Sequence, residues 1–322
     1  MTSGPEVLCV GETMALFVPA EPGPPDEVVT WTRTIGGAES NVACHLAVLG
    51  LRSRWVSAVG DDAFGRAVVS AVGSFGVDVS GVVVDPARPT GLYIKESDAS
   101  GSPVRYYRRG SAASGMGPAL LDGLPLDTAG VVHTSGITPA LSDSCLDLMR
   151  ALVAAPRSFT LSFDLNWRPR LWADRDPAVL RELAAAADVV FVGADEAGLM
   201  WGIEEPAKIR EFLSETHTLV VKQGAEGATV FEGTSAPVFQ PALRVDVVEP
   251  VGAGDAFAAG FLFGTLSGWS PERRLRAGHL RAASSLLTHH DVGPSLPSDF
   301  IATMLDAPAE EWAAAHVTGD LL

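Results

Sequence analysis

Val247-Val248-Glu249-Pro250-Val251-Gly252-Ala253-Gly254-Asp255-Ala256-Phe257-Ala258-Ala259-Gly260-Phe261 is the stretch on which the reading of this chain turns. Valines of strand character run into a glycine turn, and an apolar helix follows with one carboxylate in its first turn. Gly252 and Gly254 let the backbone turn sharply and come close to a ligand. The unpaired amides at the start of the helix then favour an anion, most often phosphate. Asp255 has two explanations. It can serve only to stabilise the helix start. Alternatively, it can hold an acceptor hydroxyl while the amides hold a transferring phosphoryl group, because a carboxylate would repel a phosphate that merely resides there.

Composition narrows the setting. With 322 residues, 47% hydrophobic content and 33 glycines, the chain suits a compact α/β protein. A formal net charge of -16 argues against nucleic acid and against an anionic membrane surface. Cys9, Cys44 and Cys145 are widely spaced in apolar surroundings, which suggests neither a disulfide framework nor a metal cluster and points to a reducing cytoplasm. The N-terminus lacks the pattern of a signal peptide, and no apolar run is long enough to cross a bilayer. Lysine is scarce, with Lys95, Lys208 and Lys222 the three present.

Outward from the glycine turn, the rest of the chain alternates strand and helix, the rhythm of a parallel sheet covered by helices. Val7 to Val10 reads as a buried first strand, and a short strand is expected around Val28 to Trp31. Gly36-Gly37-Ala38-Glu39-Ser40-Asn41 leads into a helix that Ser40 or Asn41 can cap, and the two glycines with Asn41 make a polar floor for a hydroxylated ligand. Thr90 to Ser111 breaks the rhythm with an antiparallel hairpin whose arms, Thr90 to Glu96 and Val104 to Arg108, are joined by a turn at Ser97 to Pro103. It carries all the tyrosines, Tyr93, Tyr106 and Tyr107, beside Arg105, Arg108 and Arg109. Such a hairpin is either a solvated arm with an aromatic face or a lid over a polar, anionic substrate. Asp164-Leu165-Asn166-Trp167-Arg168-Pro169-Arg170 follows a strand, where open α/β sheets bind ligands. Its arginines suit a carboxylate or phosphate, or else surface acids. Glu196 begins another helix, as a cap or as a magnesium or water ligand. Lys222 ends a strand at a turn bounded by Gly224 and Gly227, and a last strand at Val245 to Val248 is expected to feed the glycine turn.

Two common phosphate motifs are missing. None of the three lysines stands in a Walker A context. The run Gly252-Ala253-Gly254-Asp255-Ala256-Phe257 carries phenylalanine where a dinucleotide fingerprint needs its third glycine. The histidines are scattered apart from His289-His290, so zinc is not indicated.

Gly36-Gly37-Ala38-Glu39-Ser40-Asn41-Val42-Ala43, Gly60-Asp61-Asp62-Ala63-Phe64-Gly65 and Val251-Gly252-Ala253-Gly254-Asp255-Ala256-Phe257 together resemble the ribokinase-like (PfkB) carbohydrate kinases over nearly the whole chain. Within that family, Gly11-Glu12-Thr13-Met14, Tyr106-Tyr107-Arg108 with Ser111-Ala112-Ala113-Ser114, and Asp164-Leu165-Asn166-Trp167-Arg168 look most like 2-keto-3-deoxygluconate kinases. The resemblance implies one α/β kinase domain over 1–322, a mostly parallel central sheet flanked by helices. Lid segments at about 14–34 and 88–111 would form a small β-sheet that also makes a dimer. It implies ATP and Mg2+ as cofactors and a small sugar acid as substrate, with a neutral sugar such as fructose or ribose as the alternative and a non-catalytic sugar- or nucleotide-binding protein behind that. Asp255 would be the general base, with Gly252, Ala253 and Gly254 supplying the anion-hole amides. Gly36, Gly37, Asn41, Tyr93, Tyr106, Arg108 and Arg168 would hold the sugar acid. Asn166, Lys222, Gly224 and Gly227 would line the nucleotide site beside Gly252 and Gly254, and Glu196 would attend the metal. Two positions depart from the family pattern. Gly193 stands where an Asn is usual before the metal-associated Glu, and Glu249-Pro250 stands where Asp-Thr is commoner.

Overall fold

The computed structural model describes residues 6–21, 23–95 and 104–322. In chain order come β1 (Glu6–Val10), β2 (Met14–Pro19), β3 (Trp31–Gly36), α1 (Ala38–Val48), β4 (Arg52–Gly60), α2 (Ala63–Ser74), β5 (Asp78–Asp85), β6 (Leu92–Lys95) and β7 (Val104–Tyr107). The middle of the chain supplies β8 (Ala129–Ser135), α3 (Asp143–Ala154), β9 (Thr160–Asp164), α4 (Pro169–Trp172), α5 (Ala178–Ala185), β10 (Val189–Gly193), α6 (Ala194–Trp201) and α7 (Pro206–Phe212). It ends with β11 (Thr218–Lys222), β12 (Gly227–Glu232), β13 (Val238–Pro241), β14 (Arg244–Val245), α8 (Ala253–Leu266), α9 (Pro271–Leu286), α10 (Ser298–Leu305), α11 (Ala309–Ala314) and β15 (His316–Val317).

Nine strands form the central sheet in the order β13-β12-β11-β10-β9-β8-β1-β4-β5. Pairings from β5 across to β11 are parallel, and β12 alone is reversed, pairing antiparallel with both β11 and β13. Both faces are covered at the centre of the sheet, which explains why inner strands such as β1 and β10 are apolar in succession instead of alternating. Val7 and Cys9 of β1 enter a core with Val42 and Leu46 of α1 and Phe257, Phe261 and Leu262 of α8. Leu8 and Val10 enter the opposite core with Leu148 and Leu152 of α3 and Leu180 and Leu183 of α5. Helix α8 is buried on nearly every side, as a helix apolar all round must be. Its Phe261 meets Phe191 of β10 edge to face at 5.5 Å, and burying such a ring stabilises the fold by about 2 kcal/mol.

Register brings the carboxyl ends of the parallel strands to one edge. Asp164 lies opposite Ser135 and Phe191, and Gly193 lies opposite Lys222. A second sheet, β3-β2-β6-β7, closes over that edge, with its own small core of Met14, Leu16 and Tyr93.

Three sequence expectations change. The strand placed at Val28 to Trp31 lies instead at Trp31–Gly36, because its register is set by pairing with β2 (Met14 opposite Gly36), and Val29 is 87% exposed. Neither Ser40 nor Asn41 caps α1. Gly37 is the capping residue, and the Ser40 hydroxyl donates back to the Gly37 carbonyl at 3.0 Å. The strand placed at Val245 to Val248 shrinks to β14, which pairs with β15 outside the central sheet. The turn at Ser97 to Pro103 lies outside the described residues.

Candidate active site

Gly252 adopts φ 84°, and a Cβ there would lie 2.9 Å from the Asp291 carbonyl oxygen, so both conformation and space require glycine. This turn starts α8 at Ala253 and leaves the first amides of a 14-residue helix without intrahelical partners. Asp255 sits in that first turn but points to a neighbour from another helix. Asn41 of α1 donates through its Nδ2 to Asp255 Oδ2 at 2.8 Å and to Asp291 Oδ2 at 3.3 Å. One helical turn on from Asn41, His45 Nε2 meets the Asp291 carbonyl at 3.1 Å, while Arg281 donates to His45 Nδ1 at 2.7 Å. That donation leaves the neutral ring's proton on Nε2, facing the Asp291 carbonyl.

Burial pushes the Asp255 carboxyl up to about 7, with the charges of Asp164 and Asp291 adding to the rise and the Asn41 hydrogen bond and Lys222 opposing it. Asp291 is raised as well, chiefly by burial. A carboxylate poised near neutrality inside a cleft is suited to taking up a proton.

The lid builds the wall beside this pair. The Tyr93 hydroxyl fills the space above Gly36, where a Cβ would come within 1.8 Å of it. Tyr93 stacks on Tyr106 with ring centroids 5.4 Å apart, and the Arg108 guanidinium lies 5.4 Å from the Tyr106 ring centre. Arg108 is itself neutralised. Its Nε donates to Glu12 Oε2 at 2.7 Å, and Ser111 donates to the other oxygen of Glu12 at 2.6 Å. A Cβ on Gly37 would approach the Glu12 carbonyl at 2.4 Å, which fixes the close passage of α1 against that loop.

At the other end of the cleft, Lys222 Nζ donates to Asp164 Oδ2 at 2.8 Å and lies 3.6 Å from where a Cβ on Gly254 would sit. Burial opposes its charge, yet Asp164 and Glu196 hold its ammonium above the usual range. Glu196, raised by burial, accepts from the backbone amides of Gly193 at 2.9 Å and Trp167 at 3.1 Å. Asn166 takes the left-handed conformation at φ 43°, and its buried Oδ1 has no partner. Arg168 donates to the Trp167 carbonyl at 3.0 Å and stands 3.9 Å from Glu196, its side chain about half exposed. Gly224 and Gly227 shape the turn between β11 and β12. A Cβ at Gly224 would meet nothing within 4 Å, whereas at Gly227 it would strike the Gln240 carbonyl at 2.3 Å.

The sequence-derived residues thus fall into two groups. Gly36, Gly37, Asn41, Tyr93, Tyr106 and Arg108 gather at the lid around Asp255, while Asn166, Arg168, Glu196 and Lys222 gather at the ends of β9 to β11. Four participants escaped the sequence: Asp291, Glu12 as the partner of Arg108, and the ion pair of Lys95 with Glu249. Glu12 and Glu249 lie in stretches that the sequence had singled out, but neither pairing is visible along the chain, and Asp291 follows the His289-His290 pair that drew notice for another reason.

A parallel α/β sheet with a β lid, a glycine turn at a helix start and a near-neutral carboxylate beside it define a kinase acting on a small hydroxylated molecule. The model of the pfkB family of carbohydrate kinases matches residues 5–299. The chain belongs to that family. It is 37% identical over 311 residues to the 2-dehydro-3-deoxygluconokinase of Bacillus subtilis (strain 168), covering 94% of this chain and 96% of that one. It is likewise 37% identical over 277 residues to the 2-dehydro-3-deoxygluconokinase of Thermoproteus tenax, covering 84% of each. Among solved structures, the 2-dehydro-3-deoxygluconokinase of Thermotoga maritima superposes with a TM-score of 0.84 at 27% identity, over 94% of this chain and 99% of that one. Among the described residues, no helix is long and apolar enough to cross a membrane.

Proposed function

We propose that this carbohydrate kinase transfers the γ-phosphoryl group of ATP to the primary hydroxyl of 2-dehydro-3-deoxygluconate, giving the 6-phosphate. The observation that carries the chemistry is Asp255, held by Asn41 beside the glycine turn and raised to about 7. Asp255 takes the hydroxyl proton as the oxygen forms its bond to phosphorus and the bond to the departing ADP oxygen breaks. Proton removal of this kind suits a loose transition state, in which placement and charge stabilisation dominate. The amides at the start of α8 stabilise the charge that develops on the phosphoryl oxygens. Lys222, beside Gly254, sits on the same side of the turn.

Magnesium fits the residues present. No group of three or more His, Cys, Asp or Glu side chains among the described residues could cage a metal. A magnesium ion carried on nucleotide phosphates, however, needs only one or two carboxylates and water. Asp164 and Glu196 provide these, with the unpartnered Oδ1 of Asn166 close in sequence. When bound, the ion neutralises phosphate charge. With Gly193 lacking a side chain, these groups and water would have to complete its shell.

The choice of a sugar acid rests on arginine. The charge of Arg108 is answered by Glu12, whereas Arg168 is only loosely tied to Glu196 and reaches solvent. We assign Arg168 to the substrate carboxylate. Tyr106 and Tyr107 on the outer strand of the lid are exposed and support pairing of two lids in a dimer. Buried free cysteines suit a reducing cytoplasm. An ATP-consumption assay across carboxylated and neutral ketoses tests the substrate. With Arg168→Ala, kcat/KM for the sugar acid should fall about thirtyfold more than for a neutral ketose, in keeping with a lost charge-assisted hydrogen bond. Equal losses on both would remove the sugar-acid assignment.

A further inference from the structure

The segment that delivers the glycine turn is held by few contacts. Val247, Val248 and Val251 are exposed at 56%, 47% and 43%, so apolar packing does not fix their path. Two backbone amides, Val248 and Glu249, hang on the Leu286 carbonyl at the end of α9, at 2.8 and 3.3 Å. The side-chain tie within 247–251 that reaches the lid is Glu249. Its Oε1 accepts from the Val251 amide at 3.3 Å, one residue before Gly252, and its Oε2 is ion-paired with Lys95.

Lys95 comes from the lid. It ends β6, two residues after Tyr93, and the two-residue period of a strand puts both side chains on one face. Tyr93 uses that face to fill the space over Gly36, and Lys95 uses it to reach the body of the molecule. The side chains of Lys95 and Glu249 are only 13% and 15% exposed, unlike surface pairs such as Lys208 with Glu205 at 62% and 60%. Exposed pairs of that second kind contribute little, whereas a shielded pair is less screened by solvent. Of the three lysines in an acidic chain, one is committed to this contact, beside the carboxylates Glu249 and Asp291.

We propose that Lys95 and Glu249 form a latch that couples seating of the lid on the acceptor to the position of the phosphate-binding turn. Both are positioning residues. The lysine acts through Glu249, and Glu249 acts through the Val251 amide on the path into Gly252. The lid strand that closes over the sugar thereby also braces the turn that must face the transferring group. With the latch made, water is kept from the turn and the two ends of the reaction are aligned together.

A double-mutant cycle tests the latch. Lys95→Met removes the charge at similar length, and Glu249→Gln keeps an oxygen for the Val251 amide while losing the charge. Each single change should lower kcat/KM about tenfold, a coupling within the range of contacting residues. The double variant should be no worse than the poorer single one, and Lys95→Arg should retain most activity. ATP hydrolysis without acceptor should rise relative to sugar phosphorylation in both singles, a change that a loss of fold stability alone would not produce. Losses that multiply in the double variant, or changes confined to the melting temperature, would overturn the proposal. The cycle rests on kinase activity and not on the identity of the sugar acid, so it is run on any sugar the unaltered enzyme phosphorylates. A wild type that ignores sugar acids defeats the substrate assignment and leaves the cycle readable.

Discussion

The two ends of the cleft differ in how far they are finished without ligand. At the acceptor end Asn41 and the charged groups are already answered by others, Asn41 by Asp255 and Asp291, Arg108 by Glu12 and Lys95 by Glu249, while the Thr13 hydroxyl beside Gly37 is buried without a partner. At the nucleotide end the Asn166 oxygen is buried without a partner. Buried polar atoms left unpaired are uncommon and costly, so such a group is a candidate for completion by a ligand. We therefore read the acceptor end as largely preorganised. We read the nucleotide end as one that phosphate and metal would complete.

The largest test of this division is Asp255→Asn, the member common to both ends. A positioned general base contributes about 10^2- to 10^4-fold, so kcat should fall by about a thousandfold while sugar and nucleotide affinities stay near their original values. Stability should move the other way. The folded carboxyl is raised to about 7 from its ordinary value of 3.8. The folded protein therefore holds a proton that the unfolded chain releases, and stability from this group is lost as pH rises from about 4 through 7. At pH 8 the asparagine variant should melt higher than the wild type. A drop of only a few fold in turnover would remove the base assignment. Next in size is Gly252→Ala. Its φ of 84° and the 2.9 Å approach to the Asp291 carbonyl leave no room for a methyl group. A displaced turn should cost about a hundredfold in kcat, since a shift near 1 Å suffices for that. If the nucleotide KM rose while kcat held, the turn would serve binding alone.

What could be read from the sequence follows the same division. The glycine turn, the Gly36-to-Ala43 run and the alternation of strand and helix are local patterns whose physics is carried by neighbouring residues. The parallel sheet and β lid were legible for that reason. Long-range pairings were not. Asn41 looked like a cap because asparagine before an apolar run usually is one, but here its amide is recruited by Asp255, 214 positions away. Asp291 lies 250 positions from Asn41 in an irregular segment, and only the packing of α1 against α8 and α9 brings it in. The exposed Val29 made its surroundings look like a strand, while the real strand, Trp31–Gly36, carries Thr32, Arg33 and Thr34 and is held by its pairing with β2. The partner of Arg108 was equally hidden, because nothing in its vicinity along the chain reveals Glu12, 96 positions earlier.

A smaller effect separates the ends further. Asn166→Ala removes the one buried oxygen that lacks a partner at the nucleotide end, so it should raise the KM for nucleotide about tenfold, the order of a lost hydrogen bond to a charged group. It should leave the sugar KM unchanged. A parallel rise in both constants, measured by varying each substrate in turn, would mean that the two ends are not separable at Asn166.

The finest distinction lies in the pH profile, where Asn41 and Asp291 act on Asp255 in opposite senses. Below its raised value the base is protonated and cannot accept the hydroxyl proton, so kcat/KM should fall on the acid side of about 7. The negative charge of Asp291 contributes to that rise, and the Asn41 hydrogen bond opposes it. Asp291→Asn should therefore move the acid limb to lower pH, by roughly one unit or less for the loss of one nearby like charge. Asn41→Ala should move it to higher pH, because the ionised form loses its donor. The two shifts check each other, since general damage to the acceptor end would displace both limbs in one direction or neither. A limb that stays put in both variants would assign the titration to a group other than Asp255, and the preorganised acceptor end would then need a different base.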